Sequence, residues 1–313
     1  MSKVNPIEQQ RYVFSIIIPT YNRPEKLRQC LEAISRLDYP KSRFEVIVVD
    51  DGSPAGVDTV AEAFAAQLEI RYVRQSNAGP AAARNTGSAK ARGRYLAFTD
   101  DDCQPASDWL SVLQSGLDNT PDSMVGGRTV NLLADNQFAA ASQLIVDIVY
   151  RFYNADPERA RFFASNNMAM PAVLLTQIGG FQPAFRTSED RELCDRWLHN
   201  GYRMIYNPEA LIYHAHDLTF LEYCKQHFNY GRGARHFHAI RAARGSGTMH
   251  KEMKFHANLE NWLVYPFRRV KLARAFPLAF LLIVWQVINA AGFIWESVRF
   301  NLKERADSRW IVP

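Results

Sequence analysis

Five short stretches of this chain carry side chains able to do chemistry together. Asp100-Asp101-Asp102 sets three carboxylates in a row. Adjacent carboxylates repel, and a divalent cation offsets that. Mg2+ takes one or two of them and completes its shell with phosphate oxygens and water. The two-residue spacing of Asp100 and Asp102 at a strand end turns both the same way. A solvated acidic loop or a helix N-cap is the plainer reading. Asp50-Asp51-Gly52-Ser53 offers a carboxylate to a ribose hydroxyl or a base N–H, or else closes an Asx-turn. Residues 75–85 (QSNAGPAAARN) are a Gly-Pro turn feeding a helix of small residues. Arg84 lies one turn in, within reach of a base or a diphosphate, or else is an ordinary surface arginine. Glu189-Asp190 opens a helix. A carboxylate there suits a general base for a hydroxyl nucleophile, although the plainer reading is a charge at the positive end of a helix dipole. His214 and His216 form an H-x-H pair (YHAHD). With a carboxylate this is a metal-binding pattern; otherwise it is one core and one surface histidine. H-E-x-x-H, G-x-S-x-G and G-x-x-x-x-G-K-[ST] do not occur.

These residues sit at the ends of elements that the hydrophobic pattern predicts. Residues 13–18 (VFSIII), 44–49 (FEVIVV), 69–73 and 94–98 (RYLAF) read as strands. Residues 24–37, 57–67 and 80–92 read as the helices between them, the first with Pro24 in its opening turn. Such alternation predicts a parallel sheet with helices on both faces. In these sheets ligands bind beyond the carboxyl ends of the strands, where PTYN (19–22), DDGS and DDD fall. Further on, 107–118, 138–153 and 186–199 read as helices, the last opened by Thr187 or Ser188. Residues 124–130, 202–206 and 210–213 read as strands, the last two parted by Asn207-Pro208.

SIIIPTYNRPEKL (15–27), VIVVDDGS (46–53), QSNAGPAAARNTG (75–87), YLAFTDDDC (95–103) and SEDRELCDRW (188–197) share one order and spacing with the family 2 glycosyltransferases. The chain resembles these inverting enzymes over about residues 13–217. The resemblance implies the GT-A nucleotide-diphospho-sugar transferase fold: an α/β, Rossmann-like, mixed and mostly parallel sheet with helices on both faces. It implies that Pro19, Thr20, Tyr21 and Asp51 surround the nucleoside, with Arg84 nearby. Asp100 and Asp102 would be the D-x-D pair that meets ribose, Mg2+ or Mn2+, and diphosphate, with Asp101 in the variable place. Asp190 matches the family's catalytic base. His214 looks like the histidine that returns to the metal, with His216 the competing candidate. Residues 165–171 (SNNMAMP) and 179–187 lie where the family faces the acceptor. Asn166 and Asn167 are acceptor candidates, or a simple turn, and Glu189, Arg196 and Trp197 join them. Arg196-Trp197 resembles the R-W of processive polysaccharide synthases, whose motif is Q-x-x-R-W. Leu193 holds the glutamine's place here, and the chain has one candidate membrane segment where those synthases have several; both departures favour transfer of a single sugar. The implied reaction is metal-assisted transfer from a nucleotide-diphosphate sugar, UDP-sugar favoured, to a hydroxyl of a glycan or lipid-linked saccharide. A sugar-1-phosphate nucleotidyltransferase would show G-x-G-T-R-x-x-P where this chain has PTYNRP. A non-catalytic membrane adaptor would have no use for crowded carboxylates at 100, 102 and 190.

The chain has 313 residues, 47% of them apolar and 22% charged, which excludes a disordered, collagen-like or coiled-coil protein. Charge is divided unevenly. Residues 1–217 hold 22 Lys and Arg against 26 Asp and Glu, whereas 218–313 hold 15 against 6. The expected division follows: a catalytic domain over 1–217 (donor half 13–103, acceptor half 104–217) and a helical, basic and apolar region over 218–313. Ala275 to Trp295 contains no charged residue. As a helix it would run about 30 Å, enough to cross a bilayer or to lie in its plane, or else it is a buried core helix, since Pro277, Gln286, Asn289 and Gly292 interrupt it. Arg268, Arg269, Lys271 and Arg274 precede it, Arg299, Lys303, Arg305 and Arg309 follow it, and Trp285, Trp295 and Trp310 suit an interface. Residues 223–238 (YCKQHFNYGRGARHFH) read as a helix near the membrane or the acceptor's phosphate. A lipid surface fits this tail better than nucleic acid, since no nucleic-acid-binding motif accompanies it. Four scattered cysteines are consistent with a reducing compartment, and the polar N-terminus (MSKVNPIEQQRY) leads to the expectation of a cytoplasmic chain, associated with the inner face of the cell membrane.

Overall fold

The computed structural model describes residues 12–308, and the side chains of these except 250–252 and 301–308. The polar N-terminus, Arg309 and Trp310 lie outside the described residues, as do the side chains of Lys303 and Arg305. In chain order the elements are β1 (Tyr12–Thr20), α1 (Pro24–Ser35), β2 (Phe44–Asp50), α2 (Asp58–Glu62), β3 (Ile70–Arg74), α3 (Pro80–Lys90), β4 (Gly93–Phe98), β5 (Cys103–Pro105), α4 (Trp109–Asn119), β6 (Ser123–Asn131) and α5 (Gln137–Tyr153). There follow β7 (Met168–Pro171), α6 (Ala172–Gln177), α7 (Glu189–His199), β8 (Arg203–His214), α8 (Phe220–Arg244), α9 (His250–Ala257), α10 (Tyr265–Arg269) and α11 (Leu272–Ser308).

The chain divides into two compact units, residues 1–132 with 153–216, and 133–152 with 217–313. Most of α5, which the sequence division leaves in the acceptor half, therefore goes with the second unit.

In the first unit the eight strands form one sheet in the order β3-β2-β1-β4-β7-β6-β8-β5. The first four are parallel, as the alternation predicts. The continuous apolar runs of β1 and β2 are buried on both faces, with Ile16, Ile17, Ile18, Val46, Ile47, Val48 and Val49 fully enclosed. Such strands end together, so Thr20, Asp50 and the residues after Phe98 come to one rim.

Two features differ from the sequence pattern. Residues 165–167 of SNNMAMP form a turn, and it is buried; Met168–Pro171 after it is β7, a central strand antiparallel to both β4 and β6. The two short strands around Asn207-Pro208 are one strand, β8. Gly126 pairs with Tyr206 and Arg128 with Leu211, so β8 carries extra residues in a bulge that tolerates the proline.

The second unit buries Leu144, Ile145 and Ile148 of α5, Tyr223 of α8, Phe255, Trp262 and Tyr265, and Leu278, Leu281, Leu282 and Trp285 of α11 in one cluster. The α8 and α11 backbones touch. A Cβ added to Gly231 would meet the Asn289 carbonyl oxygen, and one added to Gly292 would meet that of Phe228. Buried Glu296 accepts from Arg232 Nε (2.6 Å) and faces His236 Nε2 (3.2 Å).

Candidate functional site

Sheet register assembles the acidic rim. β5 runs antiparallel to β8 with Cys103 opposite His214, and Ala215 N donates to Asp102 O at 2.8 Å. This places His214 Nε2 at 3.2 Å from Asp102 Oδ1 across more than a hundred residues of sequence. The other oxygen, Oδ2, accepts from Arg23 Nη1 (2.9 Å) and lies 3.7 Å from Lys26 Nζ on the first turn of α1. Burial disfavours the Asp102 charge, but the hydrogen bond with His214 and the positive charges of Arg23 and Lys26 outweigh it and hold the carboxyl below the usual range.

Asp101 is buried and points elsewhere. Its Oδ2 accepts from Thr20 Oγ1 (2.8 Å) and its Oδ1 from Arg23 Nη1 (3.0 Å). Burial, with Asp102 beside it, pushes its pKa up to about 6 despite Arg23. Asp100 accepts from Arg84 Nη2 at 2.6 Å, while Arg84 Nη1 donates to Glu189 Oε1 at 2.9 Å. Arg84 is 3% exposed, so it is neither a surface arginine nor open to a base. It ties the end of β4 to the first turn of α7. Arg84→Met is expected to cost about 3 kcal/mol, since it strands two carboxylates, although Asp100 keeps access to water. Denaturant unfolding measures this, and a loss below about 1 kcal/mol would mean that both carboxylates relax to water.

Asp190 follows Glu189, and its Oδ1 accepts from Arg191 N at 2.7 Å. Burial first, and the Glu189 carboxylate second, raise its pKa to about 7, against the pull of the Arg191 bond, Arg84 and Arg191. Ser188, which heads α7, is in the left-handed region (φ 65°), as is Asn22 (φ 54°) in the loop that carries Arg23. A non-glycine residue held there costs about 1–3 kcal/mol and marks places where the fold dictates the backbone.

Asp51 is buried and its carboxylate is occupied. It accepts from Gln75 Nε2 (2.7 Å), Ala78 N (2.8 Å) and Gly79 N (2.8 Å), which fixes the turn before α3. Gly79 has φ 91°, and a Cβ there would lie 2.8 Å from Arg186 Nη1. Pro19 ends β1 beside Thr20, and Tyr21 is 47% exposed.

Several acceptor candidates are instead parts of the fold. Asn167 is buried, and its Nδ2 donates to the carbonyls of Arg128 and Ala210 while its Oδ1 accepts from Trp109 Nε1; it plugs the β6–β8 bulge. Asn166 is buried against Cys103 Sγ (3.6 Å) and Thr129 Oγ1 (3.4 Å). Arg196 pairs with buried Glu192 and donates to the carbonyls of Ile178 and Gly180. Trp197 is fully buried, with its Nε1 on Arg203 O (2.8 Å). Glu189 alone of this group borders the acidic rim, and it is held by Arg84. His216 stacks on His214 with ring centroids 4.8 Å apart. Burial and the His214 charge lower its pKa to about 4, so it stays neutral near pH 7.

The residues that sequence reasoning missed are cations. Arg23 and Lys26 lie inside the quoted string PTYNRPEKL, and Arg186 lies in the segment before α7. Their types carried no signal; what matters is that α1 starts within reach of Asp102.

The donor chemistry fits a divalent cation. Asp102 Oδ1, His214 Nε2 and Cys103 Sγ lie within 4.8 Å of one another. Burial lifts the Cys103 thiol well above its ordinary pKa, so it stays protonated and is a poor ligand. An ionised carboxylate and an imidazole suit Mn2+, or Mg2+ with water and phosphate oxygens.

A sequence model of Glycosyl transferase family 2 matches residues 15–187, more than half of the chain. The chain belongs to this family. It is a glycosyltransferase with the GT-A fold. A second model, Glycosyl transferase family group 2, matches residues 124–298. Glycosyltransferase AglE of Haloferax volcanii is 31% identical over 223 residues, 70% of this transferase and 72% of AglE. The pre-mycofactocin glycosyltransferase of Mycobacterium tuberculosis is 28% identical over 225 residues, 70% of this chain but 46% of that protein. Among solved structures, the mannosyltransferase PcManGT of Pyrobaculum calidifontis, in complex with GDP-Man and Mn2+, superposes with TM-score 0.69 at 20% identity, over 92% of this chain and 88% of its own. Staphylococcus aureus TarS in complex with UDP-GlcNAc does so with TM-score 0.58 at 18% identity, over 92% of each chain.

Proposed function

We propose that this transferase is an inverting enzyme that moves one sugar from a nucleotide-diphosphate sugar to an acceptor hydroxyl, with Asp190 as general base. One observation carries the reading. The Asp100–Arg84–Glu189 bridge couples the acidic rim, where a diphosphate would lie, to the turn of α7 that bears Asp190. The acceptor oxygen attacks C1 of the donor sugar, the C1–O bond to the diphosphate breaks with its electron pair leaving on the diphosphate, and the acceptor's proton passes to the Asp190 carboxylate. A pKa near neutrality suits that role. Asp102 and His214 would hold Mn2+ or Mg2+, which when bound supplies Lewis-acid stabilisation to the leaving diphosphate. Relatives seen with GDP-Man and Mn2+ and with UDP-GlcNAc support a nucleotide-sugar donor. A UDP-sugar is the favoured choice, and a glycan or lipid-linked saccharide the favoured acceptor. Pro19, Thr20, Tyr21 and Asp51 border the nucleoside, Asp51 by fixing the turn at Gly79.

The decisive assay combines purified protein with Mg2+ or Mn2+ and a panel of UDP-, GDP- and dTDP-sugars, and scores free nucleoside diphosphate. Slow, metal-dependent release from one donor is expected. Silence with every donor, with no nucleotide binding by calorimetry, would return the fold to an adaptor.

The second unit supports attachment to the inner face of the cytoplasmic membrane. Among the described residues one helix, Leu272–Phe300 of α11, is long and apolar enough to cross a bilayer. One face of it is buried in the unit's core, while Phe276, Phe280, Ile283, Val287, Ile294 and Val298 are exposed along the other at helical spacing. Exposed Arg268, Arg269, Lys271 and Arg274 precede this stripe. A helix with one face packed on protein and the other bare suits the plane of the headgroups better than a span. Vesicles containing anionic lipid should therefore sediment the protein in a salt-sensitive way, and Phe276→Glu with Phe280→Glu should release it. Equal recovery of both proteins in the supernatant would refute this attachment.

A further inference from the structure

We infer that Arg23, seconded by Lys26, is an exchangeable cation: it neutralises Asp101 and Asp102 while the donor is absent, and turns to the diphosphate when a divalent cation takes Asp102. The inference rests on the cation and nucleotide sites proposed above and adds a residue that the family pattern did not supply.

The geometry is specific. Arg23 precedes the first turn of α1, and its side chain makes no capping bond to that helix. One nitrogen, Nη1, bridges Asp101 Oδ1 and Asp102 Oδ2 at 3.0 and 2.9 Å. Nε and Nη2 make no hydrogen bond among the described residues, and the side chain is 49% exposed. Lys26 Nζ approaches the same Asp102 oxygen, at 3.7 Å, without reaching hydrogen-bonding distance. The opposite oxygen of Asp102 faces His214. Asp102 is thus divided between a stack of imidazoles on one side and two partly exposed cations on the other.

A divalent cation bound between Asp102 and His214 would meet two like charges only a few ångströms away. That repulsion raises the cost of metal binding while no anion is present. A diphosphate reverses the sign. Its oxygens are what a planar guanidinium binds best, with two parallel N–H donors, and Nε with Nη2 are the donors this arginine still has to offer. Asp102 would then pass from the side-chain cations to the metal, and those cations to the phosphates, while Asp101 keeps its bond from Thr20. Metal and nucleotide become mutually dependent, although each alone binds weakly.

The test compares wild type, Arg23→Gln and Lys26→Gln, using Mn2+ alone and then UDP, GDP and UMP in saturating Mn2+, by calorimetry. Arg23→Gln should bind Mn2+ alone about tenfold more tightly than wild type. It should bind the preferred nucleoside diphosphate about tenfold or more weakly, with a smaller loss for UMP, which lacks the second phosphate. Lys26→Gln should move both constants the same way by less. These opposite movements separate exchange from a merely structural role, which would weaken both. Wild-type binding of Mn2+ and diphosphate with Arg23→Gln unchanged in either constant would overturn the exchange and leave the site standing. Wild type that binds neither Mn2+ nor any nucleoside diphosphate would overturn both.

Discussion

Asp190→Asn should lower sugar transfer by a factor on the order of 10²–10⁴ while leaving nucleotide-sugar binding near wild type. The amide keeps the size of the carboxylate and its place on α7 but cannot take a proton. Calorimetry with the preferred donor, set beside a coupled diphosphate-release assay, measures both quantities. Unchanged turnover would remove Asp190 from the chemistry. The pH profile gives a second readout. A base must be ionised to act, and burial and Glu189 push the Asp190 pKa up to about 7. Wild-type turnover should therefore fall as pH drops through about 7 and level off above it. The same shift has a stability counterpart. The folded pKa lies above the ordinary 3.8, so the contribution of this group is fully present below about pH 4 and is lost as pH rises through about 7. Asp190→Asn removes that loss, so thermal unfolding between pH 5 and 8 should show a smaller decline in the variant than in wild type.

Asp102→Ala should abolish the metal dependence of nucleoside-diphosphate binding and lower transfer by about 10²–10³, the usual result of removing a group that stabilises charge in the transition state. The reason is local. Asp102 faces His214 at 3.2 Å through one oxygen and Arg23 at 2.9 Å through the other, and its charge is held below the usual carboxylate range. A Mn2+ titration followed by spin resonance, with and without UDP or GDP, reads the loss directly. His214→Ala should weaken Mn2+ less than Asp102→Ala, since the carboxylate remains. If Asp102→Ala binds Mn2+ as wild type does, the cation lies elsewhere on the acidic rim.

Both variants probe a site whose chemistry was legible in one dimension and whose wiring was not. The parallel half of the sheet follows from its apolar runs, because strands buried on both faces leave an unbroken hydrophobic record at Ile16–Ile18 and Val46–Val49. With those strands parallel, the carboxylates after Phe98 and the PTYN turn had to meet at one rim. The family followed from ordered motifs, and the sequence-model match over residues 15–187 agrees. Asp190 came with the same resemblance, since by itself it reads as a charge at the head of a helix.

Which partner each of these residues holds was settled by tertiary contacts that leave no local pattern. Asn167, in the segment expected to face the acceptor, and Arg196, of the R-W pair, are polar residues, yet they fill a strand bulge and a carbonyl-lined turn. Arg84 follows three alanines as a surface arginine would, yet it is buried between Asp100 and Glu189. Arg23 and Lys26 belong to the site because α1 begins where it does. Sequence by itself determined the parallel half of the sheet, the family and the crowding of carboxylates at one edge, since these depend on side-chain polarity repeated along the chain. Only the tertiary structure decided which cation answers each carboxylate, because charge pairing acts across a few ångströms of space between residues that the chain keeps far apart.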